Sequence, residues 1–143
     1  ESKVKVLRGG EQAKLRLCKL VNHPCNLLVH DEPTNHLDQD AKNALKDHWR
    51  AITDYDKAIE LKPDYAEFYN NRGNVIRKLK DYTGAIPDYD KAIKLNPDYV
   101  KAYNSSGLAK SSINDYNGAC SDWYKAKELG DYAAIELINE YCK

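Results

Sequence analysis

The sequence predicts a mainly α-helical protein, built from tandem antiparallel helix–turn–helix units stacked into a superhelix and closed by a C-terminal capping helix. Three observations carry this. The C-terminal two thirds of the 143 residues match themselves at an offset of 34. Apolar residues within each unit fall at helical rather than strand spacing. Short turns marked by Asp or Pro separate the helical stretches.

The self-match is dense. Ala51, Ala85 and Ala119 align, as do Ala58, Ala92 and Ala126, and Tyr55, Tyr89 and Trp123. Leu61, Leu95 and Leu129 keep the step, and so do Asp54, Asp88 and Asp122. A period of roughly 20–50 residues marks a repeat architecture, whose units bury their apolar faces against one another.

At the start of the array, Leu37, Ala41, Ala44 and Leu45 form an apolar helical stripe. Leu45-Lys46-Asp47 then repeats Leu79-Lys80-Asp81, so a turn is expected at Lys46 and Asp47, with the preceding segment as the first helix of an incomplete repeat. The competing expectation is one helix from about 38 to 61, because no Gly or Pro interrupts that span. The units are therefore read as a half repeat 46–65, repeats 66–99 and 100–130, and a capping helix 131–143.

Within repeat 66–99, Tyr69, Gly73 and Ile76 face the hairpin interior, and Ala85, Tyr89, Ala92 and Ile93 form the stripe of the second helix. Asp81 and Asp115 precede second helices as N-caps. Pro87 stands near a helix start, where a bend rather than a break is expected. Pro97 ends the helix by disfavouring helical geometry at Asn96. Residues 131–143 leave the repeat but stay amphipathic.

Composition narrows the function classes. Lys plus Arg and Asp plus Glu number 22 each, so no overall field draws the chain to nucleic acid or a membrane. The basic residues of 1–21 are accounted for by a solvated helix face. No apolar run approaches membrane-span length. Cys18, Cys25, Cys120 and Cys142 form no CxxC pair and have no His placed to complete a zinc site. They are expected to be free packing thiols of a reducing compartment, which makes a cytoplasmic location the expectation and a metal site not expected. The sequence contains no Met and begins at Glu1, so a fragment or processed chain is expected.

The landmarks Tyr69, Gly73, Ala85, Tyr89 and Pro97, followed by Tyr103, Gly107, Ala119 and Trp123, resemble the tetratricopeptide repeat over residues about 45 to 143. Three positions depart from that family. Arg72 and Ser106 stand where it prefers Leu, and Lys110 where it prefers an aromatic, so these hairpins are expected to bury less than an ideal repeat.

The resemblance implies a protein–protein interaction scaffold with a groove lined by first helices. Asn70, Asn74 and Arg77 lie at i, i+4 and i+7 on one face, and Lys101, Asn104 and Ser111 repeat that placement one hairpin later. Asn71 and Lys101 match part of the family's clamp for a C-terminal carboxylate, but Ser105 stands where the clamp has Arg. The implied ligand is a peptide or partner helix, with an acidic segment or C-terminal carboxylate favoured by the cations, and no cofactor is implied.

Residues about 4 to 45 carry a second resemblance. Val-Leu-Arg-Gly-Gly-Glu-Gln at 6–12 and Asn-Leu-Leu-Val-His-Asp-Glu-Pro-Thr-Asn-His-Leu-Asp at 26–38 resemble the signature, Walker B and D-loop region of a soluble, translation-associated (F-type) ATP-binding-cassette ATPase, an α/β fold. By that resemblance, Asp31 would hold the nucleotide Mg²⁺ through a water and Glu32 would polarise the attacking water. Gly9 and Gly10 would admit a γ-phosphate to the signature backbone, and Asp38 would belong to the D-loop.

The sequence holds no GxxxxGK[ST], and Arg8 replaces the signature Ser. An ATPase is therefore not expected from this chain alone. ATP and Mg²⁺ would enter only if another chain complemented it, and a ribosome or nucleic-acid partner only if the chain works as part of such an ATPase. Leu27–Val29 would lack partner strands, which makes strand pairing between chains one expected route to self-association. An accidental join, in which the first third has no role, is the remaining reading.

Overall fold

The computed structural model describes residues 36–143, with side chains from Gln39 onward. Six helices follow in order: α1 (His36–Leu61), α2 (Ala66–Lys78), α3 (Tyr82–Leu95), α4 (Val100–Ser112), α5 (Tyr116–Glu128) and α6 (Ala134–Tyr141). No strand occurs among the described residues. Each helix packs on the next through a short turn, and α2 also touches α4, so first helices of adjacent hairpins lie side by side.

The turn expected at Lys46 and Asp47 is not formed. Helix α1 runs unbroken for 26 residues across that point, roughly 39 Å at 1.5 Å per residue. The repeat register explains why. Asp38, Gln39 and Lys42 fall 34 residues before Arg72, Gly73 and Ile76, the inward positions of α2. At Gly73 a Cβ would come within 2.8 Å of the Tyr89 ring. Folding α1 back would press Gln39 onto Tyr55 and turn two charges inward, at a cost that outweighs the turn preference of Leu-Lys-Asp. In the α2–α3 turn the same tripeptide does bend the chain, with Lys80 at φ 61.

The caps form as expected. Asp81 accepts from Gly84 N at 2.9 Å and Asp115 from Gly118 N at 3.0 Å, each such cap contributing about 1 kcal/mol. Helix α3 continues unbroken through Pro87. The carbonyl that Pro87 leaves without an N–H belongs to Thr83, an exposed residue within reach of water.

The repeated residues make the core. Ala85, Tyr89, Ala92, Ala119, Trp123 and Ala126 are fully buried. Gly73 and Gly107 let α2 and α4 approach those rings, and a Cβ at Gly107 would run into the Trp123 indole. The polar departures are absorbed by the repeated aspartates: Arg72 pairs with Asp88, and Lys110 Nζ sits 2.7 Å from Asp122. Ser106 is buried, and its hydroxyl has no partner.

Helix α6 caps the array by laying Ala134 and Ile138 against Tyr103, Trp123 and Ala126. Cys142 follows it and forms a disulfide with Cys120, correcting the expectation of free thiols there. The cause is topological. α6 returns along α5 and brings the two Cα atoms to 5.7 Å, within bridging range, across a separation of 22 residues that carries no motif. Cys18 and Cys25 lie outside the described residues. No described helix is long and apolar enough to cross a membrane.

Candidate peptide-binding groove

Because α2 and α4 lie side by side, the faces they turn away from the second helices enclose a groove of about 580 Å³. Five of the residues expected to line it do so: Asn70, Asn71 and Asn74 from α2, and Lys101 and Asn104 from α4. Arg77 and Ser111 do not. Arg77 is half-buried with its Nε lacking a partner, and Ser111 Oγ donates to the Leu108 carbonyl one turn back at 3.0 Å.

Glu67, Tyr99 and Ser105 also line the groove. Helical spacing gives a signal for Glu67, which lies three and four residues before Asn70 and Asn71. Tyr99 stands at the N-cap of α4, a loop position for which face periodicity gives no direction.

The amides are held in defined orientations. Asn74 Oδ1 accepts from Tyr89 Oη at 3.0 Å, which leaves its Nδ2 as the group able to donate elsewhere. Asn104 Nδ2 donates to the Asp131 carboxylate, and its buried Oδ1 has no partner. Asn70 is 2% exposed; its Nδ2 makes only long contacts, 3.4 Å to Tyr99 Oη and 3.5 Å to Asn71 Oδ1, and its Oδ1 is unpartnered.

Charge in the groove is sparse. Lys101 supplies a cation and Glu67 an anion, and both are exposed. Burial, with Glu67 nearby, pushes the Tyr99 phenol above its usual range, so it stays protonated and able to donate near neutral pH. The arrangement places side-chain amides, which can both donate and accept, along one groove with one ammonium group beside them. Of the residues implicated in nucleotide chemistry, Gly9, Gly10, Asp31 and Glu32 lie outside the described residues. Asp38 falls in the first turns of α1, and its side chain is outside them too.

Comparison with known proteins agrees with this architecture. The tetratricopeptide repeat family model matches residues 66–99, and a second TPR repeat model matches residues 40–80. Residues 40–99 are matched as tetratricopeptide repeats, and the hairpin beyond them shares the fold of solved TPR domains. The chain is similar in structure to the first TPR of Spaghetti (RPAP3) bound to the HSP90 peptide SRMEEVD, with a TM-score of 0.65 and 22% identity over 92% of this chain and 91% of that one. It is also similar to the second TPR domain of human RPAP3 in complex with the HSP70 peptide SGPTIEEVD, with a TM-score of 0.63 and 22% identity over 94% and 96% of the two chains.

Sequence similarity points elsewhere. The chain is 58% identical over 69 residues to an uncharacterized ABC transporter ATP-binding protein, YfmM, of Bacillus subtilis, covering 48% of this chain and 13% of that protein. It is 49% identical over 55 residues to ABC transporter F family member 2 of Arabidopsis thaliana, covering 38% of this chain and 8% of the relative. The chain thus spans only a small part of these relatives. Likeness to tetratricopeptide repeats and likeness to F-type ABC proteins are thus carried by one chain, consistent with a chimeric arrangement.

Proposed function

We propose that this chain is a protein–protein interaction scaffold whose tetratricopeptide-repeat groove takes up a peptide or partner helix, preferring an acidic segment or a C-terminal carboxylate. The observation that carries this is the convergence of Asn70, Asn71, Asn74 and Asn104 in one groove beside Lys101. Side-chain amides both donate to and accept from a peptide backbone, and Lys101 adds a charge-assisted bond to a carboxylate. The two solved neighbours hold peptides ending in Glu-Glu-Val-Asp, which supports the same ligand class here. With Ser105 in place of a second cation, binding is weak and salt-sensitive.

The scaffold works without chemistry or a cofactor. We assign residues 1–45 to the ABC-derived segment and 46–143 to the repeats, with α1 spanning the join; the Cys120–Cys142 bridge removes the free-thiol ground for a cytoplasmic location. A second reading rests on the 58% identity to the B. subtilis protein: the segment supplies signature-face elements in trans to ATP and Mg²⁺ held by another chain. Titrating the chain with SRMEEVD separates the two. Saturable binding unaffected by ATP supports the scaffold, whereas no peptide binding together with stimulation of a partner's ATPase overturns it.

A further inference from the structure

We propose that two copies of this chain pair through α1, each lodging residues 36–47 against the face of the other that carries Ala51, Tyr55 and Ala58. The argument begins with burial. Ala85, Tyr89 and Ala92 are fully buried, as are Ala119, Trp123 and Ala126, because a first helix covers them on one side and the next unit on the other. Their equivalents Ala51, Tyr55 and Ala58 are only half-buried. Helix α2 covers one side. The register assigns the other side to the N-terminal half of α1, which runs straight on instead.

That half carries its own uncovered stripe, with Ala41 and Ala44 exposed and Leu45 half-buried. A plug and its socket thus lie on the same chain, and the straight helix holds them apart. Closing the hairpin within one chain fixes both register and rotation, and turns Asp38, Gln39 and Lys42 inward. Pairing between chains carries no such constraint. An antiparallel partner helix can rotate to present Ala41, Ala44 and Leu45 to the socket.

A two-fold axis near His48 sets Leu45 opposite the partner's Ala51, Ala41 opposite the partner's Tyr55, and Lys42 beside the partner's Asp54. Every contact then forms twice, as an isologous interface requires. The hinge is the tripeptide that bends the chain in the next repeat, and opening a hairpin into a continuous helix is a common low-cost route to exchange. Each plug is about 18 Å of helix, so the dimer is modest and dissociates on dilution.

Sedimentation velocity on the full chain tests this. The wild type should run as a dimer at about 100 µM and dissociate on dilution. Ala41→Asp with Leu45→Asp, at positions outside the folded core, should raise the dimer dissociation constant at least tenfold while helicity is unchanged. Ala51→Arg should do the same from the socket side. Mixing the two variants should restore dimers, because the plug of one and the socket of the other remain intact. A monomeric wild type, a plug variant that dimerises like wild type, or plug and socket variants that both fold and fail to recover on mixing would each overturn the proposal.

Discussion

Arg72 grips Asp88 at two points, Nε donating to Oδ2 at 2.8 Å and a terminal guanidinium nitrogen to Oδ1 at 2.5 Å, while a third N–H reaches Asp56 at 2.6 Å. One side chain thereby ties α2 to α3 and α1 at a position where the repeat family prefers Leu. The side chains of Arg72 and Asp88 are 17% and 9% exposed, so the pair is fixed by geometry rather than screened by solvent. Burial opposes the Arg72 charge, but the bonds to Asp88 and Asp56 outweigh it and hold the guanidinium above its usual value.

Replacing Arg72 with Leu supplies the family residue but strands a buried carboxylate. We expect Arg72→Leu to lower stability by roughly 3 kcal/mol near neutral pH, because breaking one side of a buried pair leaves an uncompensated charge. Urea unfolding of the variant and wild type measures it. A stabilised variant would show that Asp88 finds another donor.

The same variant has a pH signature. Burial pushes the Asp88 carboxyl above the ordinary carboxylate value, and Arg72 opposes that push. Without Arg72 the carboxyl rises further. A carboxyl whose folded pKa exceeds its unfolded pKa takes up its proton preferentially in the folded state, so stability rises as pH falls through that interval. The deficit of Arg72→Leu should therefore shrink between neutral pH and the unfolded carboxylate range. A deficit constant with pH would contradict the assignment.

Much of the array was legible in the sequence because its landmarks meet simple spatial demands. Gly73 and Gly107 must be small beside Tyr89 and Trp123, and Asp81 and Asp115 must cap helices, so a 34-residue register locates them. The unbroken α1 was harder to read. Lys46 and Asp47 carry a turn signal, and the deciding facts are the three polar residues upstream that the register would bury. The Cys120–Cys142 bridge depends on where α6 returns, which lies outside the repeat. In the groove, face periodicity brings Asn70, Asn74, Lys101 and Asn104 to one opening. It fails at Arg77 and Ser111, whose position within the turn sends them away from the shared opening.

The close approaches predict a graded response. Gly107→Ala and Gly73→Ala should each cost about 1–3 kcal/mol by overpacking. The cost should be larger at Gly107, where a Cβ would press more closely on the buried Trp123 indole than the 2.8 Å it would reach at the equally buried Tyr89 ring beside Gly73. Thermal melts rank them, and equal melting temperatures for both variants and wild type would show that the helices separate freely.

Reduction should loosen the end of the array. The bridge closes a 22-residue separation, which in the chain-entropy model contributes on the order of 3 kcal/mol. Reduction, or Cys142→Ser, should raise amide exchange in α6 and shift Trp123 fluorescence to the red as Ala134 and Ile138 leave its face. Unchanged exchange over Ala134–Tyr141 would mean that packing alone holds the cap.

Nucleotide chemistry is expected to be silent in the isolated chain. The sequence has no GxxxxGK[ST], the loop type whose phosphate contacts phosphoryl transfer depends on. Purified chain should show only background ATP turnover, identical in Glu32→Gln. A Mg²⁺-dependent activity abolished by that substitution would contradict this expectation.

The most direct test of the groove is calorimetric titration of SRMEEVD into wild type, Asn74→Ala and Lys101→Ala, with helicity checked in each. Losing one amide bond or one charge-assisted bond is worth about 1 kcal/mol, so each variant should bind roughly fivefold more weakly, and Lys101→Ala should lose most of the salt dependence. Equal affinity in all three proteins, or no binding by wild type, would contradict the assignment of this groove as the ligand site.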